Sequence, residues 1–250
     1  MKKKLIVFDL DGTLAETKQK VSVEMKQLLK DLMINHYVSI ISGGDWPQFE
    51  KQLLSNFDWS DINISNLVLL PTCGSKYYQF INDEWTLVYS ESLSVEERQK
   101  IINCFEDTLK TFDLNVSRTW GPQLEDRDTQ ITFSVLGQQA PASEKEQWAS
   151  KNNHLRKQFR DMLEVELPEY SIRLGGATSI DITRRGIDKA FGIRKLCEKL
   201  NVTTGEILFV GDALFPEGND YPVKEMGVVS IQVNSVSDTS KIIETILAYQ

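Results

Sequence analysis

At 250 residues, 41% hydrophobic and 26% charged, the chain can build a substantial core in one domain or two modest ones, with the composition of an ordinary globular protein. A formal net charge of −8 argues against a nucleic-acid partner, which requires a basic face. The Met1-Lys2-Lys3-Lys4 opening imitates a secretory signal, but its apolar run is too short, no stretch reaches the ~18 apolar residues of a membrane helix, and Cys73, Cys104 and Cys197 match no metal or disulfide spacing, so a cytoplasmic protein without a membrane partner is expected.

Residues 5–8 form a continuous apolar run, the mark of a strand buried on both faces. It ends in Asp9-Leu10-Asp11-Gly12-Thr13, which places two carboxylates at the carboxyl end of a strand, where open α/β sheets bind ligands. Two carboxylates there can hold a hard cation such as Mg²⁺. Alternatively, one attacks phosphorus while the other shuttles a proton. Ser22 is placed to cap a helix with an apolar stripe through Val23, Leu28, Leu29, Leu32 and Met33. Tyr37–Ile41 reads as a second buried strand, closing on Ser42-Gly43-Gly44, a hydroxyl with adjacent backbone N–H groups that can bind a phosphoryl oxygen. Asp45 caps the next helix, with Pro47 in its first turn and Phe49, Leu53 and Leu54 on its apolar face. Leu67–Leu70 is a third strand, and this β-α-β-α-β order predicts a parallel, right-handed, doubly wound sheet.

The middle of the chain changes character. Ser94-Val95-Glu96-Glu97 is a capping box opening a helix to about Lys110. Residues 130–136 alternate, with Ile131, Phe133 and Val135 opposite Thr132 and Ser134, which predicts a half-buried antiparallel strand. A charged helix over 153–164 follows. Residues 178–183 alternate again, with Ser179 and Asp181 sharing the polar face opposite Ile180 and Ile182. Buried-strand character returns at residues 206–210, preceded by a helix over 188–200 that carries Lys189 in its first turn. A lysine there can neutralise a transferring phosphoryl group. The strand ends at Gly211-Asp212, with Gly218-Asn219-Asp220 one loop further on. Residues 227–233 read as a last buried strand and 240–249 as a closing helix. The expected architecture is a discontinuous α/β core, residues 1–82 and 186–250, with an inserted α+β domain at 83–185.

In chain order, Asp9-Leu10-Asp11-Gly12, Ser42, Lys189 and Gly211-Asp212 with Asn219-Asp220 resemble the four motifs of the haloacid dehalogenase-like (HAD) phosphotransferase superfamily. The α+β insertion between the second and third motifs resembles that of members with the larger, type IIB cap. A closer similarity is to eukaryotic-type phosphomannomutases. It is carried by Leu174-Gly175-Gly176-Ala177-Thr178-Ser179-Ile180-Asp181-Ile182, by Asp188-Lys189-Ala190-Phe191-Gly192-Ile193 and by Gly211-Asp212 through Pro216-Glu217-Gly218-Asn219-Asp220.

The resemblance implies Mg²⁺-dependent phosphoryl transfer on a small phosphorylated metabolite, a sugar phosphate, through an aspartyl-phosphate. Asp9 would be the nucleophile and Asp11 the acid and base. Asp9, the backbone carbonyl of Asp11 and Asp212 would hold the metal, supported by Asn219 or Asp220. Ser42, Gly43 and Lys189 would bind the phosphoryl group. Ser179 and Asp181 would bind sugar hydroxyls, and Arg127 a second phosphate, unless it pairs with Glu125 or Asp128. Two departures stand out: Gln138-Gln139 occupy the place of a further arginine, and Lys18 replaces a basic residue that is arginine in the family. A mutase must retain a bisphosphate, so one bidentate contact fewer favours hydrolysis. The sequence therefore leans to a phosphatase, with a phosphomannomutase as the alternative and a non-catalytic sugar-phosphate-binding protein as a second. A homodimer is compatible with the sequence.

Overall fold

The computed structural model describes residues 3–55, 58–59 and 63–249. The chain divides into two compact units, residues 1–90 with 187–250, and residues 91–186.

The first unit is built on a seven-stranded sheet. In chain order its elements are β1 (Leu5–Asp9), α1 (Val23–Leu32), β2 (Tyr37–Ile41), α2 (Trp46–Phe49), β3 (Leu67–Leu70), β4 (Lys76–Ile81) and β5 (Glu84–Ser90). After the second unit come α5 (Lys189–Leu200), β10 (Ile207–Gly211), α6 (Tyr221–Glu225), β11 (Val229–Gln232) and α7 (Val236–Ala248). The spatial order is β11-β10-β1-β2-β3-β4-β5. The first five strands run parallel, and the β4–β5 hairpin adds antiparallel strands at one edge. Residues 84–90, expected in the inserted domain, thus complete the large sheet as β5. Period-2 alternation in so aromatic a segment does not reveal which of two sheets it joins.

Strand alternation explains the two-sided core. Ile6 and Phe8 face a cluster with Met25 and Leu29 of α1, Phe49 of α2 and Ile243 of α7. Leu5 and Val7 face the opposite cluster, with Ile193 and Leu196 of α5 and Val223 of α6. A buried phenylalanine is worth about 3–5 kcal/mol against truncation to alanine, so β1 is held firmly from both faces. On α1, Met25 takes the inward place expected of Val23, which is exposed. Here β11 is a partly exposed edge strand, where the sequence predicts a buried one, because among the described residues no strand pairs beyond it.

The second unit holds α3 (Val95–Thr111), β6 (Leu124–Asp126), β7 (Gln130–Ser134), α4 (Ala142–Glu166), β8 (Tyr170–Leu174) and β9 (Ser179–Arg184). Its antiparallel sheet has the order β6-β7-β9-β8. Both helices pack on the apolar face, through Ile101, Phe105, Phe159 and Leu163 against Ile131, Phe133, Ile180 and Ile182. Contrary to the half-buried expectation, β7 is buried along its whole length. It is an inner strand, and its polar residues are consumed by hydrogen bonds. Gln130 Nε2 donates to Thr132 Oγ1, Thr132 Oγ1 donates to Asp181 Oδ1, and Ser134 Oγ donates to the Gly137 carbonyl.

Candidate active site

The ends of β1, β2 and β10 and the start of α5 lie together at the carboxyl end of the parallel strands of the large sheet. Asp9 is the last residue of β1 and is 4% exposed. The chain then turns sharply, with the Leu14 and Ala15 N–H groups donating back to the Leu10 carbonyl at 3.0 and 3.1 Å. Gly12 makes that turn possible in two ways. Its φ is +85°, and a Cβ there would lie 2.5 Å from Asp212 Oδ2. A side chain at position 12 would therefore drive the β10 carboxylate away from the β1 carboxylate.

Lys189 opens α5 behind its cap, Asp188, whose side chain accepts from the Phe191 N–H at 2.9 Å. The lysine is completely buried, although charged residues are seldom fully buried unpaired. Its ammonium donates to Asp9 Oδ1 and, at 2.5 Å, to Asp220 Oδ1. Burial by itself would push this ammonium down, but the Asp220 and Asp9 carboxylates override it and hold it above the ordinary lysine range. The other oxygen of Asp220 accepts from the Ala213 N–H at 3.0 Å. Gly211 leaves room for that carboxylate, since a Cβ there would collide with it.

Among the described residues, Asp9, Asp212 and Asp220 each place a carboxylate oxygen within 4.8 Å of the others. Three carboxylates against one ammonium leave an excess of two negative charges. Burial, opposed by Lys189 and reinforced by the Asp220 and Asp212 charges, pushes Asp9 up to about 7. Burial and Asp220 also raise Asp212. An all-oxygen, net-negative cluster of this kind fits a hard divalent cation such as Mg²⁺ and offers no soft ligand. Asp220 is part of this cluster, whereas its neighbour Asn219 is exposed.

Asp11 is half-buried and stands apart from the Lys189 ion pairs. It accepts from the Lys18 N–H at 2.7 Å, from Gln48 Nε2 at 2.7 Å and from Gln52 Nε2 at 3.2 Å. Ser42 is buried at the end of β2, and its hydroxyl accepts from the Gly44 N–H at 3.1 Å. That bond occupies one of the two N–H groups the sequence offered to a phosphate.

The second unit carries the remaining candidates. Ser179 and Asp181 share one face of β9, and Asp181 Oδ1 accepts from Thr132 at 2.8 Å. Arg127 lies in the turn after β6, not on a strand beside β9, and its guanidinium donates to Glu125 Oε2 at 2.6 and 2.9 Å. Gln138, the first of the two glutamines noted above as a departure, donates to the backbone carbonyls of Gln123 and Thr132. Sequence reasoning missed Gln48 and Gln52. Their i, i+4 spacing just after Ser42-Gly43-Gly44 was the only available signal, and it is equally that of a solvated helix face.

A doubly wound sheet with an inserted α+β unit, paired aspartates at the end of β1, a buried lysine opening α5 and an aspartate pair after β10 define a HAD-type phosphotransferase. Solved structures of that fold superpose on the chain. The IMP-bound IMP-nucleotidase of Plasmodium falciparum gives a TM-score of 0.72 at 15% identity, over 99% of this chain and 68% of the other. A trehalose-6-phosphate phosphatase of Aspergillus fumigatus gives 0.58 at 19% identity, over 99% and 93%. The sequence model of the eukaryotic phosphomannomutase family matches residues 25–249, and the chain belongs to that family. Its relatives include a probable phosphomannomutase of Caenorhabditis elegans, 26% identical over 97% of this chain and 95% of the relative. The phosphomannomutase of Saccharomyces cerevisiae is 28% identical over 96% and 92%.

Proposed function

We propose that this chain is a Mg²⁺-dependent mutase of hexose phosphates, interconverting mannose 1-phosphate and mannose 6-phosphate. The family match over residues 25–249 carries the reading. It supports mutase action better than hydrolysis, which the sequence favoured. Asp9 Oδ attacks phosphorus, the bond from phosphorus to the sugar oxygen breaks, and Asp11 delivers a proton to that oxygen. In the return half-reaction Asp11 takes the proton of the incoming sugar hydroxyl as that oxygen attacks the aspartyl-phosphate. Lys189 compensates charge on Asp9 and the phosphoryl group, while Ser42 and the Gly43 N–H bind phosphoryl oxygens. Asp9, the Asp11 carbonyl, Asp212 and Asp220 would hold Mg²⁺, which supplies positive charge to the phosphoryl oxygens. Ser179 and Asp181 bind sugar hydroxyls, and Arg127, released from Glu125, binds the distal phosphate.

One observation favours a second reading. Gln138-Gln139 occupy the place of a further arginine, and Gln138 spends its amide on backbone carbonyls, which weakens bisphosphate retention and lets water compete. The deciding experiment supplies mannose 1-phosphate with catalytic mannose 1,6-bisphosphate and follows both mannose 6-phosphate and free phosphate. Rapid isomer formation is expected. Free phosphate without isomer would make the protein a phosphatase, and neither product from any hexose phosphate would end the proposal.

A further inference from the structure

Three donors converge on Asp11, and two come from side chains that the mechanism above does not use. Gln48 lies on α2, the short helix that Asp45 caps and that carries Pro47 in its first turn. At Glu50 the helix widens into a π-turn, closed by the Ser55 N–H donating to the Glu50 carbonyl at 2.9 Å. Such widened turns recur at functional sites because they re-aim side chains. Here Gln48 precedes the turn and Gln52 lies inside it, and their carboxamides reach opposite oxygens of one carboxylate: Gln48 Nε2 reaches Oδ2 and Gln52 Nε2 reaches Oδ1. Clamping both oxygens fixes the plane of the carboxyl group, which a single bond would not.

Each glutamine is itself held. The second N–H of Gln52 donates to the Gln19 carbonyl at 2.7 Å, and the Val21 N–H donates to the Gln52 carbonyl at 2.9 Å. Gly44 leaves the space that the Gln48 amide oxygen fills, and a Cβ there would collide with it. Gln52 is 2% exposed, yet its side-chain oxygen accepts no hydrogen bond from the described residues. A buried carbonyl oxygen left unsatisfied is a cost that a leucine or methionine at position 52 would avoid. Core packing does not explain that cost, whereas the need to aim an N–H₂ group at Asp11 does.

We infer that Gln48 and Gln52 are positioning residues that hold the Asp11 carboxyl in the orientation from which it exchanges a proton with the sugar oxygen. The inference rests on the acid–base role proposed for Asp11.

The test uses Gln48→Met and Gln52→Met, which keep side-chain length and remove the donors. The substrates are mannose 6-phosphate, whose alkoxide leaving group needs a proton, and p-nitrophenyl phosphate, whose leaving group does not. With mannose 6-phosphate, kcat should fall roughly 10- to 100-fold, part of the ~10²–10⁴-fold of general acid–base catalysis, while KM changes less than about twofold. The pre-steady-state burst of p-nitrophenol reports attack by Asp9 alone and should be largely retained, which also shows that the variants fold. Against an Asp11→Asn background, Gln48→Met should add almost nothing. Equal losses on both substrates, or losses that multiply with Asp11→Asn, would overturn the inference. An impaired Asp11→Asn beside fully active glutamine variants would overturn it alone. Full mannose 6-phosphate turnover by Asp11→Asn would instead remove the acid–base role on which it rests.

Discussion

Replacing Lys189 by methionine should expose how the charge balance at the end of β1 is kept. The lysine side chain is 0% exposed, and the side chains of its partners Asp9 and Asp220 are 5% and 0% exposed, so neither ion pair is screened by water. Breaking a buried pair by removing one partner typically costs about 3–5 kcal/mol, because the remaining charge stays buried and uncompensated. Lys189→Met leaves two such carboxylates, though Asp220 keeps its bond from the Ala213 N–H and Asp9, already pushed up to about 7, can take up a proton. The expected loss is therefore within that range, not double it. Against a typical stability of about 5–15 kcal/mol, this is a large share. Urea unfolding of the full chain, with and without Mg²⁺, measures it. A second substitution, Asp220→Asn, should restore part of the loss by removing one of the two stranded charges. A Lys189→Met variant within about 1 kcal/mol of wild type, or one that Asp220→Asn destabilises further, would refute the reasoning.

Asp9→Asn is nearly isosteric and should keep the fold while removing turnover by several orders of magnitude. More than about a tenth of wild-type activity in the folded variant would exclude covalent catalysis at Asp9. Chelation with excess EDTA should abolish isomerase activity and Mg²⁺ should restore it, and full activity in EDTA would refute the metal assignment. In the second unit, the hydrogen bond from Arg184 and then the Ser94 N–H hold the Glu97 carboxyl down to about 2 from an ordinary 4.5. A carboxyl with a lowered folded-state value contributes stability above pH 4.5 and loses it as pH falls toward 2. Because both side chains are partly exposed and water screens the pair, its contribution is about 0.5–1 kcal/mol. The stability gap between wild type and Glu97→Gln, read by thermal melting, should thus narrow from pH 6 to pH 3, and an unchanged gap would refute the assignment.

Much of the fold and of the site was legible in the sequence because it is written in local chemistry. The boundaries of β2 and β3 follow from continuous apolar runs. The Ser22, Asp45 and Ser94/Glu97 caps follow from oxygens placed just before helical periodicity. Asp9, Asp11, Ser42 and Asp212 follow from polar residues that interrupt an apolar run at its carboxyl end, a junction that open α/β sheets leave accessible.

What the sequence left open is the choice among distant or equivalent partners. Asn219 and Asp220 are adjacent polar residues in one loop. Only the fold turns Asp220 onto Lys189, 31 residues away, and leaves Asn219 exposed. Only the fold brings Lys189 to Asp9 across 180 residues, converting an unremarkable helix-opening lysine into a buried counter-ion. The register of β5 against β4, the burial of both faces of β7, and the two glutamines on Asp11 belong to the same class. Each depends on which surface comes to lie opposite which, and residue order alone does not encode that.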